Sequence, residues 1–387
     1  MEAATSKEAP KIMEMPDLLL VQEAPRLKYF SGRRSRNVHW GQRKLLIAEL
    51  EFFTLHWDEK KVPHPICLYA GAAPGIHVPV LSKLFPAFVF HLYDPRDFEI
   101  KQSEKIFLHQ EFFTDEVAAQ WAGRDDVFFV SDIRRAGPED ARAASVELLR
   151  RLPVGAKYSK RELDTTINRI VERNIVEDMA CQEKWVRLIN PVESLLKFHL
   201  PYILTEKDAE GFSYLDGRVY LQVWPGRNST ETRLVPRRNE AGEFVSRLWD
   251  PLWYEEALFY HNAVVREEKS FLNPFSCPSQ PQEKINSVPA TAKRRGCRRQ
   301  PTVIFSAPDQ RAEKINSVPA LVPFDGEELL NDFDSTAEAL ILNLYLRRFN
   351  RGASAPKIRQ LSRYITSNIS KDGGSISLIR RRLSTQP

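Results

Sequence analysis

The stretch Pro65-Ile-Cys-Leu-Tyr-Ala-Gly-Ala-Ala-Pro-Gly-Ile-His77 decides how this chain folds. Its apolar run Pro65–Ala70 is short and ends at a glycine, which predicts a buried strand over 65–70. Gly71, Pro74 and Gly75 then predict a turn, and a helix from about His77 to Leu84 follows. Upstream, Leu45, Leu46, Leu50 and Phe53 recur at helical spacing and predict a helix over 42–57. Downstream, the sequence predicts strands at 87–93, around 105–108 and at 126–130. Residues 138–180 read as a charged helical insertion that leads into a helix over 182–190. Strands at 194–198, 217–224 and 231–235 and a helix at 250–267 follow. Strands alternating with helices imply an α/β fold with a mostly parallel central sheet and helices on both faces.

The 387 residues are 42% hydrophobic, enough for a substantial core. No apolar run reaches the ~18 residues a membrane span needs. The N-terminal segment lacks a basic stretch followed by an apolar one, so it does not read as a secretory signal. Cys67, Cys181, Cys277 and Cys297 are scattered, with no CxxC pair. That spacing argues against a metal site or a disulfide framework and for a reducing compartment. The net charge of +5 is uneven, because residues 276–387 carry 18 Lys/Arg against 10 Asp/Glu. Seven basic residues and no acidic one lie within 25–44, beside Tyr29, Phe30, His39 and Trp40. Such a cluster suits a phosphate backbone and stacked bases, or is a solvated surface run.

These shifts divide the chain into a loose leader (1–24), a main domain (25–275), a low-complexity linker (276–323), a helix (324–350) and a flexible basic tail (351–387). EKINSVPA occurs twice in or beside the linker, at 283–290 and 313–320, which reads as a duplication in a tolerant segment.

The turn after the first strand lets backbone approach a ligand at the C-terminal edge of the sheet. Asp94 ends the second predicted strand, at the distance where a carboxylate meets ribose hydroxyls. Both features suit NAD or S-adenosylmethionine. The turn itself, Ala70-Gly-Ala-Ala-Pro-Gly75, lacks the G-x-G-x-x-G spacing that seats a pyrophosphate on a helix N-terminus. S-adenosylmethionine carries no pyrophosphate and is the better fit.

Four separated polar residues stand in apolar settings around this turn: Lys44 in GQRKLL, Asp132 in VFFVSDIRR, Lys197 in SLLKFHLPY and Glu231 in NSTETRL. In the order Lys, Gly-rich turn, Asp, Lys, Glu they resemble the K-D-K-E tetrad of RNA ribose 2′-O-methyltransferases, and methylating a ribose hydroxyl needs alignment and removal of a proton. A lysine serves as base if a second cation and partial burial disfavour its charged form. Lys197 with Lys44 nearby would meet that need, with Asp132 and Glu231 orienting the amines. Taken singly, a lysine at a strand end is an ordinary surface residue and an Asp after a strand is an ordinary helix cap.

More specifically, GQRKLLIAELEFF (41–53), LYAGAAPGIHVPVL (68–81), LINPVESLLKF (188–198) and STETRL (229–234) resemble the poxvirus-type cap-specific mRNA nucleoside 2′-O-methyltransferases. Members of that family are also small stimulatory subunits of poly(A) polymerase. FVSDIRR and the WYEEALFYHN segment (253–262) support the likeness, which covers roughly 25–275. It implies a Rossmann-like S-adenosylmethionine-dependent methyltransferase fold and, as source, a large DNA virus other than a poxvirus. It also implies capped mRNA and a poly(A) polymerase catalytic subunit as partners, no membrane, and a place in the host cytoplasm and the virion. Lys197 would be the general base, completed by Lys44, Asp132 and Glu231. Gln42, Tyr69, Gly71, Gly75, Asp94, Arg96, Phe113 and Asp132 would contact the cofactor. For the cap and RNA, the resemblance implies Tyr29, His199, Leu200, Pro201, Tyr202, Ser229, Thr230, Glu231 and Glu255, with the methylated base stacked between aromatic rings. Phe30 is an alternative to Tyr29. Asn228 stands where the family has a tyrosine, and Leu204 where it has a second carboxylate, with Glu206 close by.

Three other readings remain open at this level. A ribosomal or transfer RNA 2′-O-methyltransferase would act on uncapped RNA equally well. A non-catalytic RNA-binding subunit for polymerase processivity would tolerate decay of the tetrad. A dinucleotide oxidoreductase is disfavoured by the turn.

Overall fold

The computed structural model describes residues 18–29, 39–134, 145, 160–203, 210–226, 228–266 and 333–369. Phe30, Leu204, Glu206, nearly all of the predicted insertion before 160, the EKINSVPA repeats and residues 370–387 lie outside the described residues. Seven strands form one sheet in the order β3-β2-β1-β4-β5-β8-β7. They are β1 (Ile66–Ala70), β2 (Val89–Tyr93), β3 (Ile106–His109), β4 (Val127–Ser131), β5 (Glu193–Phe198), β7 (Gly217–Tyr220) and β8 (Thr232–Pro236). The first five in that order are parallel; β8 runs antiparallel to β5 and to β7. This is a Rossmann-like methyltransferase fold.

Alternation along the strands explains the three layers, because successive side chains enter opposite faces. Cys67, Tyr69, Phe90, Phe128, Val130 and Leu195 pack on one side with α1 (Gly41–His56) and α2 (Val78–Leu84). Leu68, Ala70, Phe129, Leu196 and Phe198 pack on the other with α4 (Lys160–Ile189) and α5 (Pro251–Tyr260). The short α3 (Asp115–Gln120) lies on that second side and places Ala118 in its core. Its Thr114 accepts a hydrogen bond from Val117 N, the ordinary cap for such a short helix. A two-stranded ribbon of β6 (Phe212–Leu215) and β9 (Ser246–Trp249) was not expected from the sequence. Each of its strands has four residues, too few for a period to show.

Several boundaries differ from expectation. Helix α4 is one continuous element of 30 residues, so the later part of the predicted insertion and the helix after it are one. The strand expected over 217–224 stops at Tyr220, and Trp224 takes a positive φ of 63° that turns the chain away. The helix expected over 250–267 becomes a π turn at His261–Val265. Residues 18–21 are not loose: Leu18 and Leu20 are buried, and Leu20 N donates to Val219 O at the edge of β7. The C-terminal region also departs from the reading of a flexible tail. Helix α6 (Phe333–Arg348) packs on α1, and α7 (Ala355–Asn368) buries Ile358 and Ile365 in the same core. Charge dominates the composition there, and the isoleucines that decide packing are few. Among the described residues, no helix is long and apolar enough to cross a membrane.

Candidate active site

The tips of the sheet bring together the four residues that sequence separates. Asp132 follows β4, and its N–H donates to Ala70 O at 2.9 Å, which fixes it beside the tip of β1. Lys197 lies near the end of β5, Glu231 immediately precedes β8, and Lys44 occupies the first turn of α1. Lys44 Nζ donates to Glu231 Oε1 at 2.5 Å. Lys197 Nζ donates to Asp132 Oδ1 at 3.1 Å and lies 3.3 Å from Glu231 Oε2.

Two arginines join them. Arg233 Nη2 donates to Asp132 Oδ1 at 2.8 Å and to Glu231 Oε1 at 3.3 Å. Arg134 Nη2 donates to Glu231 Oε2 at 2.9 Å from a half-exposed position. Neither was singled out from sequence. Arg233 carried a signal, since residues two apart along a strand share a face, and Arg233 pairs with Lys197 across β5 and β8.

Two carboxylates thus face four cations, and the electrostatics follow. Burial lowers the Lys44 ammonium below the usual lysine value; Arg233 and Lys197 add to this, while Glu231 and Asp132 oppose it. Burial would raise the Asp132 carboxyl, but Lys197 and Arg233 outweigh it and hold it down at about 2. Burial likewise opposes ionisation of Glu231, yet Lys197, Lys44, Arg233 and Arg134 hold it well below the usual range. Both carboxylates are therefore anionic at neutral pH.

Beside this cluster lies the glycine-rich turn. Gly71 has φ 79°, and a Cβ there would stand 2.7 Å from the Asp132 carbonyl carbon and Ile133 N. Only glycine lets the tips of β1 and β4 close to this distance. Asp94 is buried; its Oδ2 accepts from Ala73 N at 3.0 Å, and its oxygens accept from Arg96 Nε and Nη2 at 2.9 and 2.8 Å. The Arg96 side chain itself is exposed. Gln42 Oε1 and His77 Nδ1 are hydrogen-bonded at 2.9 Å under the turn. Tyr69 is buried and its hydroxyl donates to Glu49 Oε1 at 2.7 Å, so its side chain faces the core. Phe113 is also buried, edge-on to Tyr93 and Trp185.

A cavity of about 300 Å³ opens from the cluster toward α4. Lys197, Glu231, Arg134, His199, Tyr202 and Asn228 line it, and Ile175 and Met179 of α4 form its apolar wall. Ser229 and Thr230 line it as well. The Tyr202 hydroxyl is bonded to Thr230 Oγ1 at 2.9 Å, and its ring meets His199 at 5.3 Å and 90°. Burial raises the Tyr202 phenol, its bond to Thr230 opposes this, and the Tyr202 N–H donates to Glu172 Oε2 at 2.8 Å. Tyr29 is half-exposed and edge-on to Phe259. Burial pushes the His199 imidazole down to about 4, so it is neutral at pH 7. Leu200 is buried in the core and Pro201 is half-buried.

No curated protein matches the chain. A family model described as the poly(A) polymerase regulatory subunit matches residues 13–154 and 159–283. Those segments hold every residue of the cluster, the turn and the cavity wall, and the chain belongs to the poly(A) polymerase regulatory subunit family.

Proposed function

We propose that this protein uses S-adenosylmethionine to methylate the ribose 2′-hydroxyl of the first transcribed nucleotide of capped mRNA. The observation that carries this reading is the convergence of Lys44, Asp132, Lys197 and Glu231 within hydrogen-bonding distance beside the glycine-rich turn. The residues around that turn fit the cofactor. Gly71 lets the tips of β1 and β4 close beside the turn, Asp94 is the carboxylate that ribose hydroxyls would meet, and the exposed Arg96 offers a guanidinium for a carboxylate. When bound, S-adenosylmethionine supplies an electrophilic methyl group on a sulfonium. Lys197 Nζ takes the hydroxyl proton, and Asp132 and Glu231 orient that amine. Lys44, Arg233 and Arg134 offset the two anions, so neither carboxylate competes for the proton. Tyr202, Tyr29 and Glu255 supply the aromatic faces and acidic edge that a cationic methylated guanine would take.

Family membership favours a second role, in which the protein serves a poly(A) polymerase catalytic subunit as an RNA-binding partner. The deciding experiment incubates labelled S-adenosylmethionine with short RNA bearing a 7-methylguanosine cap and with the same RNA uncapped. Label on the first ribose of the capped RNA alone is the expected result, and Lys197→Ala abolishes it while RNA binding persists. Equal label on both RNAs would replace the cap-specific reading with a general ribose methyltransferase. No label on either, with RNA still bound, would leave the polymerase-subunit role alone.

A further inference from the structure

Helix α6 lies beyond the segment that the family model matches, yet it touches both arms that deliver the reactive cluster. The first arm is α1. Arg43, one residue before Lys44, is fully buried and donates through Nε to Glu338 Oε2 at 2.7 Å. Its Nη2 pairs with Glu338 Oε1, and its Nη1 donates to Thr366 Oγ1 of α7 at 2.8 Å. The second arm is the segment from Trp224 to Glu231. Trp224 N donates to Asp334 Oδ1 at 3.1 Å and Trp224 Nε1 to Glu338 Oε2 at 2.7 Å. Arg266 binds Asp334 through Nε and Nη2, and its Nη2 also donates to Pro225 O at 3.2 Å. Arg266 Nη1 holds Asn262 Oδ1, and Asn262 Nδ2 holds Ser229 O at 2.9 Å, two residues before Glu231.

Asp334 and Glu338 are four apart and so share one helix face. Both are buried, and each contacts Trp224 together with one buried arginine. Buried ion pairs stabilise a fold little better than apolar side chains of the same volume. Their distinguishing property is direction: a guanidinium bound through two N–H groups fixes position and angle. We propose that Asp334 and Glu338 are positioning residues, a brace that fixes Lys44 on α1 against Glu231 at the end of the Trp224 segment. For its kinetic consequence, this inference rests on the methyl-transfer reading above.

The test uses the full chain with Arg43→Met/Glu338→Met, which removes both charges and leaves neither buried alone, and Asp334→Asn as a second variant. Three quantities are read: thermal midpoint, the rate at which acetic anhydride labels Lys44 (followed by peptide mass spectrometry), and methyl-transfer kinetics. The brace predicts several-fold faster labelling of Lys44 in a variant that still melts cooperatively. It also predicts a fall in kcat of about ten- to a hundredfold, the scale set by sub-ångström to ångström misplacement, with KM little changed. Wild-type labelling of Lys44 in folded variants would overturn it, whatever the midpoint does. If the wild-type protein methylates no RNA, the methyl-transfer reading fails, and the Lys44 labelling rate alone decides the brace.

Discussion

Arg233 is nearly fully buried and touches both carboxylates of the cluster. Replacing it with leucine leaves Asp132 and Glu231 short of a partner at largely buried positions. Arg233→Leu is expected to cost about 3–5 kcal/mol in denaturant unfolding, the usual penalty for breaking a buried pair. Asp132 carries a pH signature of its own. Its folded value of about 2 lies below the ordinary 3.8, so its contribution is complete above about pH 4 and is lost as pH falls toward 2. Asp132→Asn should therefore flatten the acid limb of the stability curve, checked by urea unfolding between pH 2 and 5. Glu51, buried on α1, has the opposite sign: burial pushes its carboxyl up to about 8. The folded state then holds a proton that the unfolded state releases, so stability falls as pH rises from about 4.5 to 8. Glu51→Gln should melt higher than wild type at pH 8 and equally at pH 4. Lys44, Asp132, Lys197 and Glu231 were legible because each stands as a polar residue in an apolar stretch at a predicted element end. Arg43 and Arg134 were not, because a basic residue in sequence carries no mark of whether its partner is water or a carboxylate 97 or 295 positions away, and Arg233 showed itself only through its place two residues from Glu231 on one strand face.

Elements were read well where their period had room to show. Helix α1 and strands β1 to β5 fall within two residues of expectation, since each is bounded by turn residues and packs one clear face. The β6–β9 ribbon was hidden because its strands have only four residues each, and the early end of β7 because the hydrogen bond from Trp224 N to Asp334 Oδ1 overrides the apolar run that continues past Tyr220. Two elements can be tested directly. Gly71→Ala puts a Cβ against the Asp132 backbone at a positive φ, so it should separate β1 from β4. A loss of at least about 1–3 kcal/mol is expected, together with weaker S-adenosylmethionine binding by calorimetry. Asp250 caps α5, its side chain accepting from Leu252 N and Trp253 N. Asp250→Ala should cost about 0.5–2 kcal/mol by thermal unfolding.

At the scale of the molecule, part of the C-terminal region that composition presents as a basic tail belongs to the core. Ile358, Ile365 and Ile369 are buried, so removal of residues 351–387 should destabilise the whole protein. Removal of 370–387 alone takes away Lys371, Arg380, Arg381 and Arg382. That shorter truncation should lower the slope of log K against log salt for RNA by at most about 3, at ~0.7 per cation. An unchanged slope would remove these cations from RNA binding. The Arg43–Glu338 contact has a kinetic consequence as well. It spans 295 positions of chain, a closure that local folding cannot reach early. The sheet can form from neighbouring strands, but Lys44 meets its final geometry only after the last helices have found α1. A refolding experiment should then show two clocks: near-ultraviolet signals of the sheet core return first, and protection of Lys44 from acylation returns later, at the rate of C-terminal docking.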